Sequence, residues 1–126
     1  MAVVDVSSDS QLLVAGHEGP ELRAVRVRVS GEPSNAPELT RVGTSGTVGG
    51  ATGQGHYLVV YQQDSFVFGS YAADATSEWS DFLIASSAKN PKVAADPITG
   101  AFVVTYIDQA VPIPTGIASL VEITCP

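Results

Sequence analysis

The sequence predicts an all-β protein of three four-stranded units, each about 45 residues long. Three observations predict it. A hydrophobic octet recurs at a fixed interval. Each octet is flanked by small-residue strands and by Gly, Asp and Pro turns. No stretch shows a helical period or a heptad. The chain then reads as a single all-β domain over 1–126, with repeats 1–43, 44–87 and 88–126.

The octet is the second strand of each unit. Gln11-Leu12-Leu13-Val14-Ala15-Gly16-His17-Glu18 is followed, 45 residues on, by His56-Tyr57-Leu58-Val59-Val60-Tyr61-Gln62-Gln63. A further 45 residues on stands Ala101-Phe102-Val103-Val104-Thr105-Tyr106-Ile107-Asp108. These runs are nearly continuous in Val, Leu, Phe and Tyr, which predicts burial on both faces. The repeated aromatics, Tyr57 with Phe102 and Tyr61 with Tyr106, read as core packing.

The first strand is small and apolar: residues 3–7, 47–52 and 92–96. Val3, Val48 and Val93 keep the 45-residue interval here. A hairpin turn follows, clearest in Asp96-Pro97-Ile98-Thr99-Gly100, where proline presets φ and glycine accepts a positive φ. Ser8-Asp9-Ser10 and Gly53-Gln54-Gly55 are the equivalent turns. Third strands are expected at residues 22–29, 66–73 and 117–123, the last after an insertion with Pro112 and Pro114. In the first of these, arginines interleave with apolar residues, so one face is expected to be wet. Arg26 and Arg28 share that solvated face, and Arg23 points the other way. Fourth strands are expected at residues 38–42 and 81–85, and the third unit has none.

A four-strand meander repeated every 40–45 residues is the signature of a propeller blade. The crowded first strand wants small residues, and Gly49, Gly50, Ala51, Ala94 and Ala95 supply them. The run from Asn90-Pro91-Lys92-Val93-Ala94-Ala95-Asp96 through Gly100-Ala101-Phe102-Val103-Val104-Thr105-Tyr106-Ile107-Asp108 resembles the blade repeat of bacterial extracellular and surface β-propeller proteins. That repeat reads Pro-x-Val-Ala-x-Asp, a Gly-containing turn, then an aromatic, valines, Trp or Tyr and an acidic residue. Tyr57-Leu58-Val59-Val60-Tyr61-Gln62-Gln63-Asp64 is similar to its second half. Gly16 departs from it, standing at the aromatic's place. The resemblance implies a bacterial, extracytoplasmic protein, and a structural motif rather than an activity.

Three blades do not close a ring that usually takes about four to eight. Self-association into a homodimer or higher oligomer is therefore expected, two chains giving six blades, unless the chain belongs to a longer propeller. A β-trefoil is the alternative, because its three four-stranded repeats close within one chain.

Charge narrows the partners. A formal net charge of −7 with six Lys and Arg leaves no cationic footprint for nucleic acid or anionic membranes. No apolar stretch approaches the length of a membrane-spanning helix. The N-terminal Met-Ala-Val-Val-Asp-Val has no basic region or cleavage pattern, so no signal peptide is expected in this form. Cys125 is the single cysteine, so no disulfide forms within the chain.

The residues that bear chemistry are few. His17 and His56 lie 39 residues apart at non-equivalent places and have no partner at metal-ligand spacing. No serine sits in a Gly-x-Ser-x-Gly elbow. The glycine-rich stretch from Gly43 to Gly53 lacks the following helix and lysine of a phosphate loop. Neither a catalytic set nor a cofactor or metal site is expected.

Glu18, Asp64 and Asp108 recur at the ends of the second strands. In a propeller those connections surround one mouth of the ring, a surface suited to a sugar, a peptide or a cation. Trp79, the sole tryptophan, is a candidate anchor or a side chain folded back over the blade edge. The expected function is a non-catalytic binding module for a glycan or protein, with Glu18, Asp64, Asp108 and Trp79 as its candidate rim. The alternatives are a glycan hydrolase using carboxylates on a ring face, and a purely structural assembly.

Overall fold

Runs of Val, Leu, Tyr and Phe bounded by turn residues give strands along this chain. The computed structural model describes residues 2–6, 11–28, 37–53, 55–74, 76–96, 98–109 and 115–121. Among them are eleven strands and no helix. In chain order they are β1 (Ala2–Val6), β2 (Gln11–Glu18), β3 (Glu21–Arg28), β4 (Leu39–Val42), β5 (Thr44–Gly53) and β6 (His56–Gln63). Then come β7 (Phe66–Ala72), β8 (Ser80–Ser86), β9 (Ala88–Ala95), β10 (Phe102–Asp108) and β11 (Thr115–Val121).

These strands form three antiparallel meanders: β1-β2-β3-β4, β5-β6-β7-β8 and β9-β10-β11. Among the described residues, none of these sheets closes on itself. The turn at Ser8-Asp9-Ser10, the insertion with Pro112 and Pro114, and Cys125 lie outside the described residues.

The sheets stack face to face, with β6 at the centre. Tyr57, Val59 and Tyr61 pack against Leu13, Ala15, Leu22, Ala24 and Leu39 of the first sheet. Leu58 and Val60, on the opposite face of β6, pack with Ala51 against Phe102 and Val104 of the third. Side chains alternate across a strand, so a strand buried on both faces must be apolar at every place. Tyr57, Leu58, Val59 and Val60 are fully buried, each contributing on the order of 1.5–3 kcal/mol by leaving water. The outer strand β4 alternates instead, with Leu39 buried and Thr40 and Val42 exposed.

β5 is a strand of poor β-formers, and its glycines have a packing reason. A Cβ on Gly49 would lie 3.1 Å from Val60 Cγ2 and 3.3 Å from both Lys92 Cα and Val93 N. A Cβ on Gly53 would lie 3.1 Å from the Ala95 Cβ. The backbone of β9 therefore approaches β5 only because side chains are missing there.

One expectation is corrected by the register. Val3 and Val93 do stand opposite Val14 and Val104, but Gly50, not Val48, stands opposite Val59. Gly53 pairs with His56 across a two-residue loop, whereas Asp96 bonds to Ala101 across four residues, Asp96 N donating to Ala101 O at 2.8 Å. The shorter turn slides β5 by two places. An irregularity between Ser45 and Gly49 takes up the extra residues. The 45-residue interval therefore holds through all three second strands, and among the first-strand valines only Val48 departs from the matching register.

Candidate functional site

Hairpin turns alternate between the two ends of each sheet. One end carries Gly19-Pro20 between β2 and β3, Asp64-Ser65 between β6 and β7, and the last residue of β10, Asp108. Gly19 and Asp64, 45 residues apart, both hold a positive φ of about 60° (62° and 56°). Aspartate tolerates this left-handed conformation better than most residues.

The turns also tie the sheets together. Thr44 N at the start of β5 donates to Pro20 O at 3.1 Å, and Ala88 N at the start of β9 donates to Ser65 O at 2.9 Å. Gly43 (φ 81°) and Ser87 (φ 51°) turn the chain into those two strands. At the third sheet, Gln109 N donates to Ser87 O at 2.7 Å.

The surface of this end is mixed. Asp64 is exposed, Phe66 is 41% exposed and Val42 is 67% exposed. Neighbouring amides brace it from behind. Gln63 Nε2 donates to Val42 O at 2.7 Å and Gln62 Nε2 to Asp64 O at 3.1 Å. Gln62 Oε1 accepts from Asn90 N at 3.4 Å. Asp108 is half-buried. Glu18 is placed at this end by its backbone, its side chain lying outside the described residues. Such a surface offers a carboxylate beside an exposed ring and an apolar side chain, a combination suited to non-covalent binding.

Trp79 is at the opposite end, so the structure brings Glu18, Asp64 and Asp108 to one end and leaves Trp79 apart. It is folded back rather than presented: half-buried against the core of the first two sheets, with Nε1 donating to Pro37 O at 3.1 Å. What folds it back is Arg26, whose guanidinium carbon lies 4.8 Å from the Trp79 ring and 5.7 Å from the Tyr57 ring.

Arg26 corrects the expectation of a solvated strand face. It is only 3% exposed, on the same face of β3 as Leu22 and Ala24, which packs on the second sheet. Its donors are met by main-chain carbonyls: Asp74 O at 2.7 Å, Ser77 O at 2.6 Å and Pro37 O at 3.0 Å. Burial lowers its pKa, with Tyr57 and Asp74 acting the other way. Its Nε is buried without a partner among the described residues. The side chain of Arg28 lies outside those residues. Asp74 in turn fixes the loop, its Oδ1 accepting from Thr76 N at 2.8 Å and Ser77 N at 2.7 Å. Those hydrogen bonds, led by that of the Thr76 amide, hold its carboxyl at about 2.

A second polar contact joins the outer strands. Arg41 of β4 grips Asp81 of β8 with both Nε and Nη2 at 2.8 Å. The fully buried Ser70 also donates to Asp81 Oδ1. Burial pushes the Asp81 carboxyl up, but hydrogen bonds from Arg41 and Ser70 outweigh it and leave the pKa below the ordinary range. Burial raises the Tyr61 phenol. His56 Nδ1 shares a hydrogen bond of 2.7 Å with the Tyr71 hydroxyl, the rings stacking with centroids 5.8 Å apart. The side chain of His17 lies outside the described residues. Asp74, Asp81 and Arg26 are thus structural groups. No sequence signal separates the buried Arg26 from its neighbours, because its acceptors are main-chain carbonyls, of Pro37 11 residues on and of Asp74 and Ser77 48 and 51 residues on.

Among the described residues no group of three His, Cys, Asp or Glu side chains is arranged to hold a metal ion. Among them, too, no helix is long and apolar enough to cross a membrane. Comparison of the chain with protein-family models, curated proteins and solved structures finds no match.

Proposed function

We propose that this chain is a non-catalytic binding module of propeller-type blades. It acts as a self-associated array and takes a glycan or protein ligand at the end bearing Glu18, Asp64 and Asp108. The observation that carries the reading is the repeated joint there: Pro20 O to Thr44 N, and Ser65 O to Ala88 N. The turns after β2 and β6 are each bonded to the first strand of the next sheet, which supports reading them as neighbours along one rim.

Two further features favour blades. The meanders remain separate sheets stacked through their faces, whereas a trefoil pairs strands of different repeats in a barrel. The exposed Asp64, Phe66 and Val42 lie at the rim, while Trp79 at the opposite end is held against Arg26 rather than presented. The bacterial extracellular setting belongs to this proposal through the blade resemblance.

The test is a glycan array together with a pull-down from a bacterial surface extract. Wild type is compared with a Asp64→Ala/Phe66→Ala double variant. Binding lost in the double variant supports the rim. Silence in both screens, or binding unchanged in the double variant, removes it.

A further inference from the structure

Among the described residues, β9 and β10 of the third sheet turn one face to the second sheet and leave the side chains of the other exposed. Phe102 and Val104 are buried against the second sheet. Val103, at 40% exposure, and Thr105 are on the outward face with their cross-strand partners Ala94 and Lys92, all exposed. This outward face has a buried counterpart in the chain. Leu58 and Val60 occupy the places of Val103 and Thr105 in the second sheet, and Ala51 and Gly49 those of Ala94 and Lys92. In the first sheet, Leu13 and Ala15 occupy the places of Leu58 and Val60.

The same face is covered twice within the chain. The second sheet covers Leu13 and Ala15, and the third sheet covers Leu58 and Val60. We infer that the outward face of the third sheet docks the first sheet of a second copy of this chain, head to tail, and that Lys92 limits how closely it seats. The inference rests on the self-association proposed above and names its surface.

Lys92 matters because of what stands at its place in the second sheet. Gly49 lets the β9 backbone come so close that a single added Cβ would lie 3.3 Å from Lys92 Cα. At the outward face that place holds a long stem and an ammonium instead. Val60 is likewise replaced by the polar Thr105. An incoming first strand is held off at Lys92, and the apolar contact centres on Val103. The ammonium then needs an acceptor, which a chain of net charge −7 can bring. Head-to-tail contacts of this kind close into a ring when the rotation permits and otherwise extend as a filament.

The experiment is light scattering coupled to size exclusion over a concentration series, with reductant present, on the full chain. Wild type, Val103→Asp and Lys92→Gly are compared, with circular dichroism to confirm folding. Wild type is expected above the 13.0 kDa monomer mass. Val103→Asp is expected to fall to the monomer, and Lys92→Gly to associate about tenfold more tightly, a change that concentration series resolve. Should Val103→Asp unfold, Ala94→Arg on the same exposed face replaces it, with the same outcome expected. A monomeric wild type at all concentrations overturns both this inference and the self-association. An oligomer that survives both Val103→Asp and Ala94→Arg overturns this surface alone. Weaker association of Lys92→Gly overturns the role given to Lys92.

Discussion

Replacing Arg26 by alanine tests how the first two sheets are held together at the end away from the rim. The guanidinium donates to three carbonyls, of Asp74, Ser77 and Pro37, and lies over Trp79. A hydrogen bond from a charged group contributes about 1.5–3 kcal/mol, but such terms do not add. The acceptors belong to exposed or half-exposed loop residues, so water re-solvates part of what is lost. Removing a buried charge also recovers its desolvation cost. The net loss is about 2–4 kcal/mol, a large share of the roughly 5–15 kcal/mol typical of a small domain. With a urea slope of about 1–3 kcal/mol/M, the midpoint falls by about 0.7–4 M.

Trp79 is the sole tryptophan and touches the altered group, so its fluorescence reports the site directly. Its emission is expected to shift to the red in the native variant, before any denaturant is added. Arg26→Lys keeps the charge but cannot span three carbonyls with one ammonium, so it is expected to fall between wild type and alanine. An Arg26→Ala protein within about 0.5 kcal/mol of wild type, with unchanged Trp79 emission, would refute the reasoning.

Other expectations follow from the same contacts. Gly49→Val presses a branched side chain into the β9 backbone and is expected to destabilise by about 1–3 kcal/mol, read from urea denaturation; a neutral effect contradicts the close approach. Asp81→Ala leaves the buried Ser70 hydroxyl without that acceptor and frees a half-exposed Arg41, for a loss of about 1–2 kcal/mol. The carboxyls of Asp81 and Asp74 are both depressed in the folded state. Their stabilisation is complete above the ordinary carboxylate value of about 4 and declines as pH falls through the folded values, toward about 2 for Asp74. Acid titration of wild type against Asp81→Asn is expected to show a shallower loss in the variant below that point.

Much of the fold was legible because β6 leaves little choice. A run such as Tyr57-Leu58-Val59-Val60-Tyr61 is tolerable in water only when both faces are covered, and its copies in β2 and β10 say what covers them. The registers of the first strands were less legible. The turns after β5 and β9 differ by two residues, and only the paired backbone shows that Gly50 faces Val59. Arg26 was illegible for a different reason. Alternation with apolar residues reads as a wet face, and the carbonyls that satisfy it come from the loops around Pro37 and Asp74. Of the candidate rim, the turn positions of Glu18, Asp64 and Asp108 were readable from the repeat, since they close equivalent strands. Trp79 was misplaced with them: it lies between the third and fourth strands, and because turns alternate between the two ends of a meander it falls at the opposite end, as the connection before β4 does.

The central structural claim is that the sheets stack through close contact of their first strands, β5 on β9. The most direct measurement is a nuclear Overhauser spectrum of isotopically labelled protein, examined at Gly49. Strong cross-peaks from the Gly49 α-protons to the Lys92 α-proton and the Val93 amide are predicted, because a Cβ on Gly49 would lie only 3.3 Å from the Lys92 Cα and the Val93 nitrogen. A well-dispersed spectrum in which Gly49 shows only contacts within its own sheet would contradict the stacking, and with it the aligned rim on which the proposed function depends.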